Sequence, residues 1–317
     1  MSHAWLGGST VTRLRDNKTR PKLAGLLAVS VLPCACSIQR LAINSVGDAL
    51  ASSASVFETD DDPVLIAEAL PFSLKLVESL LSEQPDHRGL LLTATRGYLL
   101  YSYAFVDMPA EESTLEDIDR TRELRRRARN LYLRAYAYAS RLLELDYPGL
   151  TDELAGDPAE AVAAVGRDRD VAMLYWNAAA LGLAISVSRN EPALLARLPE
   201  VEAMLNRALT LDEAWNRGAL HEFAISLAGA GTAEVDESAM QRHYQRALEL
   251  SAGNRASVHV AYAEVVTVPK QDREQFETLL ARALAVDVDE DPDQRLLNVI
   301  AQQRARWLLE NADEFFL

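Results

Sequence analysis

A six-residue pattern recurs three times in the second half of the chain, each time at the end of a stretch with helical spacing. The copies cover residues 206–211, 245–250 and 281–286, and each has alanine at its third position. These alanines, Ala208, Ala247 and Ala283, follow one another at intervals of 39 and 36 residues. A small side chain at a fixed place in each unit lets two helix backbones approach closely. The pattern therefore predicts stacked pairs of helices.

Apolar residues at helical spacing continue along most of the chain. Only 14 of the 317 residues are glycine and 12 are proline, a balance that favours long helices over a sandwich or a barrel. We predict an all-α fold in which degenerate tetratricopeptide-like helical-hairpin repeats form a curved superhelical array. A helical bundle without repeats is the alternative.

Two aspartates that precede prolines predict helix starts. Asp62 before Pro63, and Asp157 before Pro158, each combine an N-capping side chain with a proline in the first turn. The predicted helices include residues 86–106, 115–145 and 213–228.

The first 35 residues are predicted to be an export signal. A basic stretch is followed by ten uncharged residues, 23–32, which match the core of a signal peptide and are too short to span a bilayer. Ala35 supplies the small residue that a cleavage site requires. Residues 32–37 resemble a bacterial lipobox, which would make Cys36 the lipid anchor. Residues 36–317 would then form a single all-helical, tetratricopeptide-like domain.

Two other interpretations of this segment remain open. It is compatible with an ordinary cleaved leader, and Cys34 with Cys36 could form a metal-binding or redox pair, although no histidine cluster lies nearby in the sequence. Ser37, rather than aspartate, follows Cys36. By resemblance to Gram-negative lipoproteins, this serine predicts the outer membrane rather than the inner one.

The charge of the chain and its lack of motifs exclude several functions. Asp and Glu number 47 against 32 Lys and Arg, a formal net charge of -15, so phosphate backbones would be repelled and nucleic acid is not a predicted partner. His221-Glu222 begins like a zinc-protease motif, but Ile225 stands where the second histidine is needed. We predict a protein without cofactor or metal that is not an enzyme. A hydrolase or lyase with a cryptic carboxylate pair is the least favoured alternative.

A dense run of arginines lies in the predicted helix 115–145. It consists of Arg120, Arg122, Arg125, Arg126, Arg127 and Arg129. Acidic residues three or four positions away are typical of an exposed face of salt bridges. A docking stripe for an acidic partner is the alternative.

Aromatic residues make up only 7% of the chain, yet several share predicted helix faces. Tyr98, Tyr101 and Phe105 lie on one broad face, and Tyr132 and Tyr136 are one turn apart. Rings with polar tips suit a groove for an apolar or mixed ligand, whereas packing in the core is the alternative for each ring. The candidate groove residues are Tyr98, Tyr101, Phe105, Tyr132, Tyr136, Tyr175, Trp176, His221, Phe223, Asn298, Gln302 and Arg306.

The last three of these candidates form a polar stripe. Asn298, Gln302 and Arg306 follow one another at four-residue spacing on an otherwise apolar predicted helix. Exposure to solvent is the default prediction for such a stripe. Lining of an internal channel is the sharper hypothesis.

Several segments, taken in order, resemble one known family. They lie within residues 36–45, 97–106, 174–176, 218–222, 262–273 and 298–309, and include Leu174-Tyr175-Trp176 and Gly218-Ala219-Leu220-His221-Glu222. The family is the TRAP transporter T-component (TatT) family. The matches span nearly the whole chain after the predicted leader.

The resemblance implies a periplasmic, lipid-anchored, tetratricopeptide-like protein that forms homo-oligomers. It implies association with the substrate-binding P-component of a TRAP transporter, and an apolar cleft or pore that could receive a hydrophobic small molecule. The alternative is a general tetratricopeptide-like envelope scaffold lipoprotein unrelated to TRAP transport.

Overall fold

The computed structural model describes residues 45–50, 54–113, 117–231 and 235–317. Every regular element in these residues is helical, so the predicted all-α class is confirmed for the described part of the chain. The main helices are α1 Pro63–Glu83, α2 Arg88–Ser102, α3 Ile118–Glu144, α4 Val171–Ser186, α5 Leu198–Asp212, α6 Ala219–Ala228, α7 Glu237–Leu250, α8 Ala256–Tyr262, α9 Arg273–Leu284 and α10 Arg295–Glu310.

Shorter elements connect these helices. Short α-helices are Ala54–Glu58, Met108–Glu112, Leu150–Leu154, Pro158–Ala163, Pro192–Leu195 and Val268–Lys270. Short 3-10 segments are Asp168–Asp170, Trp215–Gly218, Pro292–Gln294 and Ala312–Glu314, and π-helical segments are Tyr103–Asp107 and Ala263–Thr267. Among the described residues, no helix combines the length and the apolar character that crossing a bilayer requires.

The two predicted helix starts are confirmed by their caps. The Asp62 carboxylate accepts hydrogen bonds from the backbone N–H groups of Val64 and Leu65, at 2.9 and 3.1 Å. The Asp157 carboxylate accepts one from the Glu160 N–H at 3.1 Å. These bonds satisfy amide groups that have no partner inside the helix.

The three copies of the six-residue pattern end α5, α7 and α9. Their alanines, Ala208, Ala247 and Ala283, are completely buried. The close backbone approach predicted for them is seen at Ala247, whose Cα lies 3.0 Å from the position that a Cβ on Gly218 would occupy. Helices α6 and α7 therefore pack with almost no space between their backbones at this point.

Helices that follow one another in the chain pack as neighbours. Helices α1 to α5 form a consecutive series of contacts, in which α3 packs between α2 and α4. Helix α6 packs on α7, and α8 contacts both α9 and α10. Two large hydrophobic clusters follow this division, one made mainly by α1 to α5 and the other by residues from Ile225 to Ala312.

A third hydrophobic cluster joins the two ends of the helical body. Ile66 and Leu70 of α1 pack there with Leu296 and Ile300 of α10 and with residues of the first π-helical segment. The Arg295 guanidinium also donates a hydrogen bond to the Thr59 carbonyl, at 3.1 Å. The last main helix is therefore held against the first, a contact between residues more than 200 positions apart that no local pattern announces.

Two predicted helix boundaries were wrong. The helix predicted over 213–228 begins at Ala219, because Asn216, Arg217 and Gly218 all have positive φ, at 46°, 55° and 87°. The helix predicted over 86–106 is α-helical only from Arg88 to Ser102 and continues as a π-helical segment. Both differences from the predicted boundaries affect where residues of the candidate site lie.

Replacing Gly218 with alanine should destabilise the fold for two separable reasons. A Cβ at φ 87° is strained, at about 1–2 kcal/mol, and it would also meet the Ala247 backbone at 3.0 Å, adding about 1–3 kcal/mol. Gly149→Ala is the matched control, because Gly149 has φ 90° but nothing within 4 Å of its would-be Cβ. Urea unfolding should show a larger loss for Gly218→Ala; equal losses would contradict the close approach of α6 and α7.

Candidate functional site

Two π-helical segments stand at the centre of the site. In each, an N–H bonds to the carbonyl five residues earlier, from Met108 to Tyr103 and from Val268 to Ala263. A proline follows each segment, at Pro109 and Pro269. Proline has no N–H to donate, so the carbonyl four residues before it loses its usual partner and the helix widens locally. Such widened turns are frequent at functional sites.

A buried arginine connects the two segments. Arg304 of α10 forms ion pairs with Glu264, at 2.5 Å within the second π-helical segment, and with Glu111, just after the first. Its side chain is only 6% exposed. Burial alone would lower the pKa of Arg304, but the charges of Glu264 and Glu111 outweigh it and raise the pKa. The guanidinium is therefore held as a cation between two carboxylates from distant parts of the chain.

Tyr103 lies beside this ion-pair cluster. Its side chain is 38% exposed, yet the loss of bulk water around its hydroxyl raises its pKa, and the charge of Glu264 raises it further. The ring is therefore accessible to solvent and close to the partly exposed carboxylates of Glu111 and Glu264.

An aromatic cluster forms a second part of the site. The ring of Tyr175 lies 4.8 Å from Trp176, 4.7 Å from Trp215 and 5.9 Å from Phe223, measured between ring centroids. We call these four residues the aromatic cluster. Phe223 is buried, whereas the other three rings are only partly buried. Edge-to-face packing of this kind keeps large apolar rings in fixed positions.

The aromatic cluster and the ion-pair cluster share one electrostatic environment. Burial raises the pKa of Tyr175 to about 12, and the charge of Glu222 raises it too. The same Glu222 raises the pKa of Tyr103. Since one carboxylate acts on both hydroxyls, the two clusters border the same region of the molecule. Arg255 pairs with Glu222 at 2.9 Å and holds that carboxylate in place.

A buried acid adjoins the ion-pair cluster. The Tyr132 hydroxyl donates a hydrogen bond to the Asp107 carboxyl at 2.9 Å, inside the core. Burial raises the pKa of Asp107 to about 7, and the nearby charge of Glu111 raises it as well. Desolvation favours the neutral acid more strongly than the Tyr132 hydrogen bond favours the carboxylate.

The remaining tyrosines of the predicted groove make structural contacts. The Tyr98 and Tyr138 rings stack at 6.1 Å, and both hydroxyls donate to the Glu78 carboxylate. The Tyr136 hydroxyl accepts a hydrogen bond from Arg197 at 2.7 Å, and that guanidinium lies over the Tyr136 ring.

The remaining ring pair of the predicted groove lies at the junction of the two chain ends. Tyr101 and Phe105 pack side by side against the third hydrophobic cluster. The Tyr101 hydroxyl accepts a hydrogen bond from Arg127 at 3.0 Å. This pair is therefore part of the junction between α1 and α10.

His221 forms a pair with another histidine. Its Nδ1 lies 2.9 Å from Nδ1 of His243, so one imidazole donates and the other accepts. Burial lowers the pKa of both rings, which favours this neutral, hydrogen-bonded state. The pair joins α6 to α7. Within the described ranges, no group of three or more His, Cys, Asp or Glu side chains is placed to hold a metal ion.

The predicted exposure of the polar stripe to solvent is correct only for Arg306. Asn298 is buried, accepts a hydrogen bond from the Ala256 N–H and donates one to the Asn254 carbonyl. Gln302 is also buried and donates to carbonyls at the end of α9, at 2.8 Å to Val286. The two amides satisfy backbone groups at helix ends, which a periodic pattern cannot distinguish from exposure.

Several site residues were not predicted. Arg304, Glu264, Glu111 and Tyr103 are not among the candidate residues, although Arg304 pairs with both Glu264 and Glu111. Trp215 completes the aromatic cluster from a turn that the pattern assigned to a helix. The one sequence signal for the π-helical segments is a proline, Pro109 or Pro269, placed where the helical pattern continues past it.

Other predictions and cavities lie elsewhere. The predicted leader, 1–35, and the anchor Cys36 are outside the described residues. A hollow of about 350 Å³ opens between α7 and α9, and its mixed walls include Gln241 and Asp272 together with Tyr244 and Tyr262.

Comparison with known proteins identifies relatives of the whole helical body. The family model described as TRAP transporter T-component matches residues 59–316. A protein of Treponema pallidum (strain Nichols), named only as an uncharacterized protein, is 33% identical over 308 residues. That alignment covers 91% of this chain and 95% of the relative.

Stability should depend on pH through Asp107. Its pKa is raised from 3.8 to about 7 on folding, so the folded state binds the proton more tightly and loses stability as pH rises through this interval. Asp107→Asn removes the titration while keeping an acceptor for Tyr132. Between pH 5 and pH 8, the wild-type protein should lose about 2–3 kcal/mol relative to the variant in urea unfolding. A difference that stays constant with pH would contradict the raised pKa.

Removing the charge of Arg304 should be costly. Arg304→Met leaves Glu264 and Glu111 without their partner, and because both carboxylates keep some contact with solvent, the cost should be about 1–3 kcal/mol, below that of a fully buried pair. Arg306→Met is the control, because Arg306 lies two residues along the same helix but is exposed and should cost below about 0.5 kcal/mol. Thermal and urea unfolding check both. Recovery of stability in Arg304→Met/Glu264→Gln would assign the loss to the unpaired carboxylate, and equal losses in the two single variants would refute it.

Proposed function

This chain belongs to the TRAP transporter T-component family, and we propose that it serves such a transporter by binding its substrate-binding P-component. The observation that carries the proposal is the extent of the match, because residues 59–316 include all ten main helices in full. A T-component is an accessory part of a transporter and not an enzyme. The family's role therefore belongs to the helical body as a whole.

The proposal includes an apolar ligand, or one with an apolar part, in a helical cleft. The aromatic cluster supports it, because Tyr175, Trp176 and Trp215 hold rigid rings that remain partly accessible. The guanidinium of Arg96 lies 5.5 Å from the Trp176 ring centroid and places a cation at the edge of this surface. Large rings with nearby polar groups are typical of sites that bury most of a small molecule.

The proposal also covers architecture and location. The repeated alanines at the ends of α5, α7 and α9 support a tetratricopeptide-like arrangement of helical hairpins, as do the consecutive contacts between neighbouring helices. We propose a periplasmic lipoprotein anchored through Cys36 after removal of residues 1–35, at the outer membrane rather than the inner one, and assembled as a homo-oligomer. These parts rest on the leader sequence and on the family.

Purified mature protein should bind the TRAP P-component encoded beside it. Immobilised on a sensor surface, it should retain that protein with a Kd of about 1–10 µM, as expected for a transient contact. A P-component from an unrelated TRAP system serves as the control and should bind at least about tenfold more weakly. No retention of the cognate protein at about 100 µM would refute the proposal.

The ligand part is tested on the same preparation. Protein purified without denaturation should release a hydrophobic small molecule, identified by mass spectrometry, and Trp176→Ala should release less of it because a wall of the site is lost. A genome neighbourhood without TRAP membrane or receptor genes would instead favour a general envelope scaffold.

A further inference from the structure

One face of α3 concentrates positive charge on an acidic protein. Arg122, Arg125, Arg126 and Arg129 are spaced at i, i+3, i+4 and i+7, so they form one continuous stripe along the helix. The first three are exposed and the fourth is partly buried. We call these four residues the arginine face. The chain as a whole has a formal net charge of -15, so this face is of opposite sign to most of the surface.

The acidic side chains near the arginine face compensate only part of it. Arg122 lies 3.3 Å from Asp119, but the two side chains are 73% and 89% exposed, so the pair contributes little. Arg129 pairs with Glu191. Among the described residues, no carboxylate lies within ion-pair distance of Arg125 or Arg126. The charge of Arg125 also acts on the buried Asp107, whose pKa it lowers. Within these residues, Arg126 is therefore the exposed guanidinium best placed to meet an external partner.

The other arginines of the run have internal partners and lie off this stripe. Arg127 donates to the Tyr101 hydroxyl at 3.0 Å, which fixes it beside the junction of the two chain ends. Arg120 faces Glu123 at 3.5 Å. In the part of the chain that the structure describes, the run is thus divided in a different way: Arg120, Arg122, Arg127 and Arg129 have side-chain partners, whereas Arg125 and Arg126 form no ion pair. The predicted face of salt bridges describes the first group better than the second.

The neighbours of the arginine face favour a folded protein over a lipid surface. Asp119 and Glu123 are exposed among the arginines, so the surface carries both signs in a fixed pattern. A layer of anionic headgroups has one sign throughout and would repel those carboxylates, whereas a protein surface can match them one by one. Ile118, 57% exposed at the start of α3, adds an apolar contact beside the charges. Protein interfaces commonly combine such elements.

We propose that the arginine face is the docking surface for an acidic patch on a folded partner, which under the proposed function is the P-component. The planar fork of a guanidinium binds a carboxylate through two parallel hydrogen bonds, and it remains charged at any physiological pH. The face contributes mainly to the rate of association and to specificity, because the charges are exposed and screened by salt. This assignment rests on the proposed function for the identity of its partner.

The test compares two single charge reversals at exposed helical arginines. Arg126→Glu alters the arginine face, and Arg242→Glu makes the same change in net charge on α7, at an exposed arginine without a carboxylate partner in the described residues. At 50 mM NaCl, we expect Arg126→Glu to raise the Kd for the P-component about fivefold or more through slower association. Arg242→Glu should change it less than about twofold. The difference should shrink at 300 mM NaCl because the Debye length shortens.

Further arms separate the possible failures. Arg126→Gln, which removes the charge without reversing it, should give a smaller rise in Kd than Arg126→Glu. Melting temperatures of the variants equal to that of the wild type would exclude misfolding as the cause. Equal effects of Arg126→Glu and Arg242→Glu, with the wild type binding normally, would overturn the docking surface and leave the proposed function intact. If Arg126→Glu no longer bound phosphatidylglycerol vesicles that the wild type binds, while its binding to the P-component were unchanged, the docking surface would be overturned in favour of a lipid surface. No binding by the wild type would refute the proposed function and the assignment together.

Discussion

The pairing of Arg304 with two carboxylates is the constraint on which the centre of this structure depends. A guanidinium removed from water must be neutralised, and Glu111 and Glu264 do this from positions 193 and 40 residues away in the chain. The last main helix can therefore occupy only one place relative to the two π-helical segments. Apolar packing between α1 and α10 stabilises their contact, and the ion pairs of Arg304 determine how the helices are oriented.

The same arrangement brings tyrosine hydroxyls and carboxylates together. Tyr103 and Tyr175 both have raised pKa values, so at neutral pH they are neutral hydrogen-bonding groups. Two carboxylates whose charges act on these hydroxyls, Glu264 and Glu222, are engaged by arginines. What remains available is aromatic surface with polar edges. Such a surface suits binding, in agreement with an accessory role in transport.

The sequence predicted the local features of the fold well, because local physics decides them. Caps at Asp62 and Asp157 follow from a carboxylate placed before a proline, and the burial of Ala247 follows from a small residue repeated at the point where helices cross. It predicted Tyr175, Trp176 and Phe223 as neighbours in a groove, and these rings do contact one another or a shared ring. It failed at Asn298 and Gln302, where side-chain amides satisfy helix ends that only packing brings near.

By itself, the sequence determined the helical class, the capped helix starts at Asp62 and Asp157 and the arginine spacing on α3, because each depends on residues within one or two turns. The tertiary structure alone decided that α10 meets α1, that Arg304 joins both π-helical segments, and that Trp215 completes the aromatic cluster. These contacts join residues far apart in the chain. Such contacts stabilise the protein only once the distant segments have been brought together by folding, so a short stretch of sequence cannot predict them.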